Sequence, residues 1–257
     1  MKKLLSLLFL FSFGIKAFSQ NSQAILEVNY ETKIIPDSTN RNNVKVYTST
    51  LLCNLTESSY FSREAQAFFN GTSTENIPST LGNIPKYPKS VESAYRFNDQ
   101  LTASLPVGKY IFTFEEPKLK WKILSDTKNI KDFQCRLAQT TTDTGDIFFA
   151  WFTNDIAIPE GPFRFKGLSG LVLEVYNLSK TIEIHATEIK KSDEIIKPLN
   201  YGDNLVIKDK KQYLTARKNY HENPSIYNGN IKVFDANGND KTKTMTDRLK
   251  HINVFLD

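Results

Sequence analysis

Apolar and polar residues alternate along most of the chain. Ala24, Leu26, Val28 and Tyr30 occupy every second position with mostly polar neighbours, the pattern of a strand that turns one face to a core. The same period recurs in VYTSTLLCNL (46–55), KYIFTF (109–114), LKWKIL (119–124), FQCRLAQT (133–140), IFFAWFT (147–153), LVLEVYN (171–177) and TIEIHATEI (181–189). Several of these runs are joined by only a few residues, which suits hairpins and excludes parallel crossovers. TTDTGD (141–146) and DANGND (235–240) carry turn residues. Two segments break the period. KDKKQYLTARKNYHENP (208–224) sets Tyr213, Leu214, Arg217 and Tyr220 at helical spacing after Asp209 and stops at Pro224, and SREAQAFF (62–69) offers a short helix capped by serine.

The pattern predicts a mainly β protein with a large twisted antiparallel sheet, half-barrel or sandwich-like, and one or two short helices. The helix over 208–224 is expected to cover an apolar concavity. A closed barrel stays open as an alternative, because period-two strands fix neither curvature nor pairing. The longest polar, proline-bearing connection lies within residues 66–95 and contains NGTSTENIPSTLGNIPKYPKS.

The first residues change the picture. Lys2 and Lys3 precede an apolar run from Leu4 to Phe13, and Ala17 and Ser19 are small, which reads as a signal peptide over residues 1–19 ahead of a single β domain over 20–257. The expectation is an exported protein, periplasmic or associated with the outer membrane. No later segment has the roughly 20 apolar residues a spanning helix needs. Lys2, Lys3 and Lys16 supply three of the five formal net positive charges, and the remaining charges are mixed along the chain. That balance argues against a nucleic-acid partner. Cys53 and Cys135 are the only cysteines. In an oxidising compartment they are candidates for a disulfide, and each also lies in an alternating stretch where a buried thiol serves as a small apolar group.

Candidate chemistry is sparse. GPFRFKGLSG (161–170) has five residues between its first two glycines, places Lys166 before Gly167 and leads into a strand, so it is neither a phosphate loop nor a dinucleotide fingerprint. DANGND places Asp240 where a calcium loop requires glycine. His185, His221 and His251 stand far apart, without metal-ligand spacing. Asp155, Glu160 and Glu174 are candidate carboxylates for a hydrolase of glycans or peptides, and Cys135 has no nucleophile signature around it. The residues thus indicate no catalytic group, no metal and no cofactor.

Taken together, WFTNDIAIPEGPFRFKGLSGLVLEVYN (151–177) is similar to the signature of the GLPGLI family of exported proteins from Gram-negative bacteria. The naming motif falls on Gly167, Leu168, Ser169, Gly170, Leu171 and Val172, with Ser169 where the family usually has proline. Upstream of it, Trp151 matches the family's aromatic strand, and Gly161 and Pro162 match the segment after that strand. The resemblance implies an envelope protein without assigned catalytic residues, frequently encoded beside TonB-dependent outer-membrane receptors. It favours a non-catalytic module that binds a ligand or a partner such as an outer-membrane receptor, with a carboxylate-dependent hydrolase and a structural surface protein as alternatives. Within the motif, the glycines are expected to form a tight turn that launches a strand at Leu171, with Leu171, Leu173 and Val175 on the core and Glu174 and Tyr176 opposite.

Overall fold

The computed structural model describes residues 22–71, 87–225 and 232–257. The signal-like segment 1–19 and most of the polar insertion, residues 72–86, lie outside them. Twelve strands form one sheet: β1 (Leu26–Ile34), β2 (Lys45–Cys53), β3 (Glu57–Phe61), β4 (Ser93–Phe97), β5 (Gln100–Val107), β6 (Tyr110–Glu115), β7 (Lys122–Ile130), β8 (Phe133–Thr141), β9 (Ile147–Thr153), β10 (Leu171–Asn177), β11 (Ile182–Lys191) and β12 (Leu205–Val206). Three helices accompany them among the described residues: α1 (Arg63–Gly71), α2 (Lys210–Glu222) and α3 (Thr242–Lys250).

The strand order is β12-β6-β5-β4-β3-β2-β1-β11-β10-β9-β8-β7. Two antiparallel meanders, β1 to β6 and β7 to β11, are therefore joined side by side through β1 and β11. Only the two-residue β12 departs from the antiparallel expectation, pairing parallel to β6. The chain must pass from β6 near one edge to β7 at the other through residues 116–121. Twelve strands laid flat would be roughly 50 Å wide at about 4.8 Å per step, whereas so short a connection reaches about 24 Å at most. The sheet consequently curls until its edges approach, without closing into a barrel. This strap is fixed at both ends: at its start the Glu116 amide donates to the Leu101 carbonyl at 2.8 Å, and at its end Thr140 Oγ1 donates to the Lys120 carbonyl and Trp121 Nε1 to the Lys166 carbonyl, each at 2.9 Å.

Curling lets both meanders share one core. Leu51, Tyr60, Leu101, Phe112 and Phe114 pack in the same cluster as Phe148, Phe152, Leu171, Leu173, Ile182 and Ile184. Helix α2 lies against β5 and β6 over the concave face. Its start is satisfied by Asp209, whose side chain accepts from the Lys211 amide at 2.9 Å. Its apolar side places Tyr213 on Phe114, stacked at 5.0 Å between ring centres.

Strands β8, β9, β10 and β11 and helix α2 lie where the alternation predicts them, and β9 and β10 have the predicted bounds. Four strands, β3, β4, β5 and the two-residue β12, escape the sequence pattern. The expected strand over 119–124 starts only at Lys122, because Leu119 and Trp121 belong to the strap. The disulfide expected as a candidate is not formed. Cys53 ends β2 and Cys135 lies on β8 with four strands between them in the sheet order, and both are free and buried.

Candidate functional site

The signature block joins β9 to β10 and is built around close backbone passages. A Cβ on Gly170 would lie 1.9 Å from the Thr153 carbonyl oxygen, so only glycine allows the chain to pass the end of β9. Gly167 has φ of 88°, in the left-handed region, and its amide donates to the Pro159 carbonyl at 3.0 Å. Pro162 accepts from the Phe165 amide at 2.9 Å, closing a turn. Leu168 is buried, while Ser169 is exposed and donates to Asn154 Oδ1 at 2.8 Å. From Leu171 the strand runs as expected, with Leu171, Leu173 and Val175 buried and Glu174 and Tyr176 on the other face. Val172 is also buried and accepts from the Tyr30 hydroxyl at 2.7 Å. Trp151 turns to the outer face, where Lys128 Nζ sits 4.6 Å from its ring centre. These residues build the fold, and none gathers a reactive group.

The three candidate carboxylates are not brought together. Glu160 is fully buried on the inner side. One of its oxygens accepts from Arg96 Nε and the other from Lys166 Nζ at 2.5 Å, so both oxygens are engaged by cations. Glu174 stands on the outer face with His185 and Lys128, and those two partners hold its carboxyl below the usual range despite partial burial. Asp155 is exposed and accepts from the Gln134 amide at 3.3 Å. Burial pushes the Cys53 thiol up to about 12 and the Cys135 thiol up to about 11, so neither offers a thiolate at neutral pH. His185 is on the outer face, His221 is on α2 and His251 follows α3, and no group of three potential metal ligands exists among the described residues.

A cavity of about 400 Å³ opens on the concave side, between α2, the segment after α3 and the ends of β2 and β5. Its walls are aromatic, from Tyr47, Tyr87, Tyr213, Tyr220 and Phe255, and Glu92, Arg217 and His221 add polar atoms. Arg217 is held by Asp257 and lies 3.9 Å over the ring of Phe255. Burial, followed by the negative charge of Glu92, raises the Tyr47 hydroxyl well above the ordinary phenol range, so it remains a proton donor. His221 Nδ1 lies 2.7 Å from the Leu249 carbonyl, to which it can only donate, and burial lowers the pKa of the ring. The neutral ring leaves Nε2 as an acceptor. A concavity that combines aromatic faces with a few placed donors and acceptors suits a small polar ligand with an apolar side. Tyr213, Arg217 and Tyr220 were visible in the sequence as one helix face. Tyr47, Tyr87 and Phe255 come from distant segments, and no local signal marks them.

Residues 72–215 match the family model for the N-glycanase peptide, N-terminal domain, which is more than half of the chain. The chain belongs to that family. Two crystal forms of PNGF-II resemble this family member with TM-scores of 0.47, at 18% and 17% identity over 75% of this chain. The matched region covers 32% and 33% of those chains, so this chain spans about a third of their length. An uncharacterized conserved protein from Thermus thermophilus is similar with a TM-score of 0.35 and 6% identity, over 74% of this chain and 93% of its own. No curated protein sequence matches this family member. None of its helices among the described residues is long and apolar enough to cross a membrane.

Proposed function

We propose that this domain is a non-catalytic binding module whose concave cavity receives the sugar-bearing part of a glycoprotein or glycopeptide. The observation that carries the reading is the cavity itself. A pyranose ring presents an apolar C–H face and a rim of hydroxyls, and the aromatic walls with Glu92, Arg217 and His221 complement both. A volume of about 400 Å³ has room for a short glycan segment. Membership of a family named for the N-terminal domain of an N-glycanase supports a glycan over other small polar ligands. The scattered positions of Asp155, Glu160 and Glu174 favour binding over hydrolysis by those carboxylates. Export through residues 1–19, and a place in the envelope beside an outer-membrane receptor, belong to the same proposal. They rest on the N-terminal pattern and on the likeness of residues 151–177 to the GLPGLI signature.

The test is calorimetric titration with an N-linked glycopeptide, the same peptide without its glycan, and the released glycan, followed by mass analysis of the recovered ligand. The glycopeptide and the glycan should bind and be recovered intact, and the bare peptide should not bind. Cleavage of the glycopeptide would instead support the hydrolase alternative, and equal binding of the bare peptide would remove the glycan from the reading.

A further inference from the structure

A second cleft, of about 330 Å³, lies between residues 159–167 and the strap that joins β6 to β7. Its lining is unlike that of the concave cavity and shares no residue with it. Arg96, Lys118, Arg164 and Lys166 face it, and Asp99 is the sole carboxylate among the described lining residues. Behind the lining, the paired charges do not balance. Four cations, Arg96, Arg164, Lys166 and Lys210, are paired with three carboxylates, Glu116, Asp143 and Glu160. Burial raises the carboxyl of Glu116 from its ordinary range, with Arg164 and Lys210 acting against that shift.

Arg164 is the cation of this cluster with open hydrogen-bond donors. Its side chain is 1% exposed, and its Nη2 serves both Glu116 and Asp143, at 2.7 Å each. Its Nε and Nη1 have no hydrogen-bond partner among the described residues. Buried donors of a charged group are costly to leave open, so such groups normally find an acceptor. Glu116 Oε2 is also without a hydrogen-bond partner.

We propose that this cleft binds an oxyanion group, a carboxylate, phosphate or sulfate, which accepts from the open nitrogens of Arg164 and draws on Lys118 at the mouth. One negative charge offsets the excess cation of this paired set. Leu119, half-buried on the strap side, is the apolar wall of the cleft. The site takes its position from the two features that make the fold, the signature block and the strap.

The experiment follows the melting temperature and the Arg164 Nε–H resonance of the full domain while acetate, inorganic phosphate or sulfate replaces chloride at constant ionic strength. The proposal expects a saturable rise in melting temperature with at least one of these anions, together with a shift of that resonance. The anion with the lowest half-saturation tells a carboxylate site from a phosphate or sulfate site. Lys118 is exposed, so K118A should leave the starting melting temperature unchanged and raise the half-saturation concentration about threefold to fivefold, the scale of a partly screened ion pair. R164K should abolish the saturable response. If R164K fails to fold, K118A and the resonance decide. An unmoved Arg164 resonance, or a non-saturating rise identical in wild type and K118A, overturns the proposal.

Discussion

At Gly170 the missing side chain is a steric requirement. Its backbone passes so close to the Thr153 carbonyl that no rotamer of a larger residue relieves the clash, because the obstacle is another strand's backbone. Gly170→Val should lower stability by about 3 kcal/mol, the upper range for overpacking, read as a lower urea midpoint. An unchanged midpoint would mean that the β9–β10 junction relaxes freely. Glu160 makes a different point. In sequence it looks like one of three acids near a motif, and a hydrolase role followed from that proximity. In the folded chain it is the shared anion of Arg96 and Lys166, and Arg96 is 64 positions away. Glu160→Gln would keep the shape and strand two buried cations. The expected loss is about 3 to 5 kcal/mol, typical of breaking a buried pair by removing one partner. A loss below about 1 kcal/mol would show that solvent reaches the pair.

Elements with one buried face and clear punctuation were legible in the sequence, and β9, β10 and α2 lie where their patterns place them. Three of those missed have an identifiable physical reason. Strand β3 is buried along its whole length but includes Ser58 and Ser59, so no alternation marks it. Strand β5 carries Pro106, tolerated because it stands one residue from the hairpin turn at Gly108, which has φ of 60°. Helix α3 buries only Leu249 and has no side-chain N-cap, which leaves too faint a periodicity to read. The contact between α2 and α3 should be sensitive to pH. Burial holds the His221 ring below its ordinary 6.5, with Arg217 acting in the same direction and the Leu249 carbonyl against it. Because the folded value is the lower one, His221 contributes stability above about pH 6.5 that is lost as the pH falls through the folded value. The lowered carboxylates Asp143 and Glu174 act in the same direction only at more acidic pH. Melting temperature should therefore fall between about pH 7.5 and pH 5.5, and His221→Phe should flatten that slope. An equally steep slope in the variant would assign it elsewhere.

For the molecule as a whole, the decisive feature is curvature, and here the sequence is nearly silent. Period-two strands are compatible with a flat sheet, a sandwich or a barrel. The short strap between β6 and β7, tied to Thr140 and to the Lys166 carbonyl, forces the two edges together, and those contacts arise only in three dimensions. Because both meanders share one core, unfolding should follow a single transition by near- and far-ultraviolet dichroism. Two separated transitions would show that the meanders are independent units. The same curvature creates the concave cavity, so a functional proposal placed there depends on the whole sheet. The outer face offers a competing aromatic surface, since Phe149 stacks on Tyr176 with ring centres 5.3 Å apart near Trp151. The most direct test is therefore to titrate an N-linked glycopeptide into wild type, into Tyr87→Ala at the exposed rim of the cavity, and into Phe149→Ala on the outer face. The account predicts that Tyr87→Ala weakens binding about tenfold, as loss of a stacked aromatic would, while Phe149→Ala binds like wild type. Binding unchanged in Tyr87→Ala and lost in Phe149→Ala would contradict it.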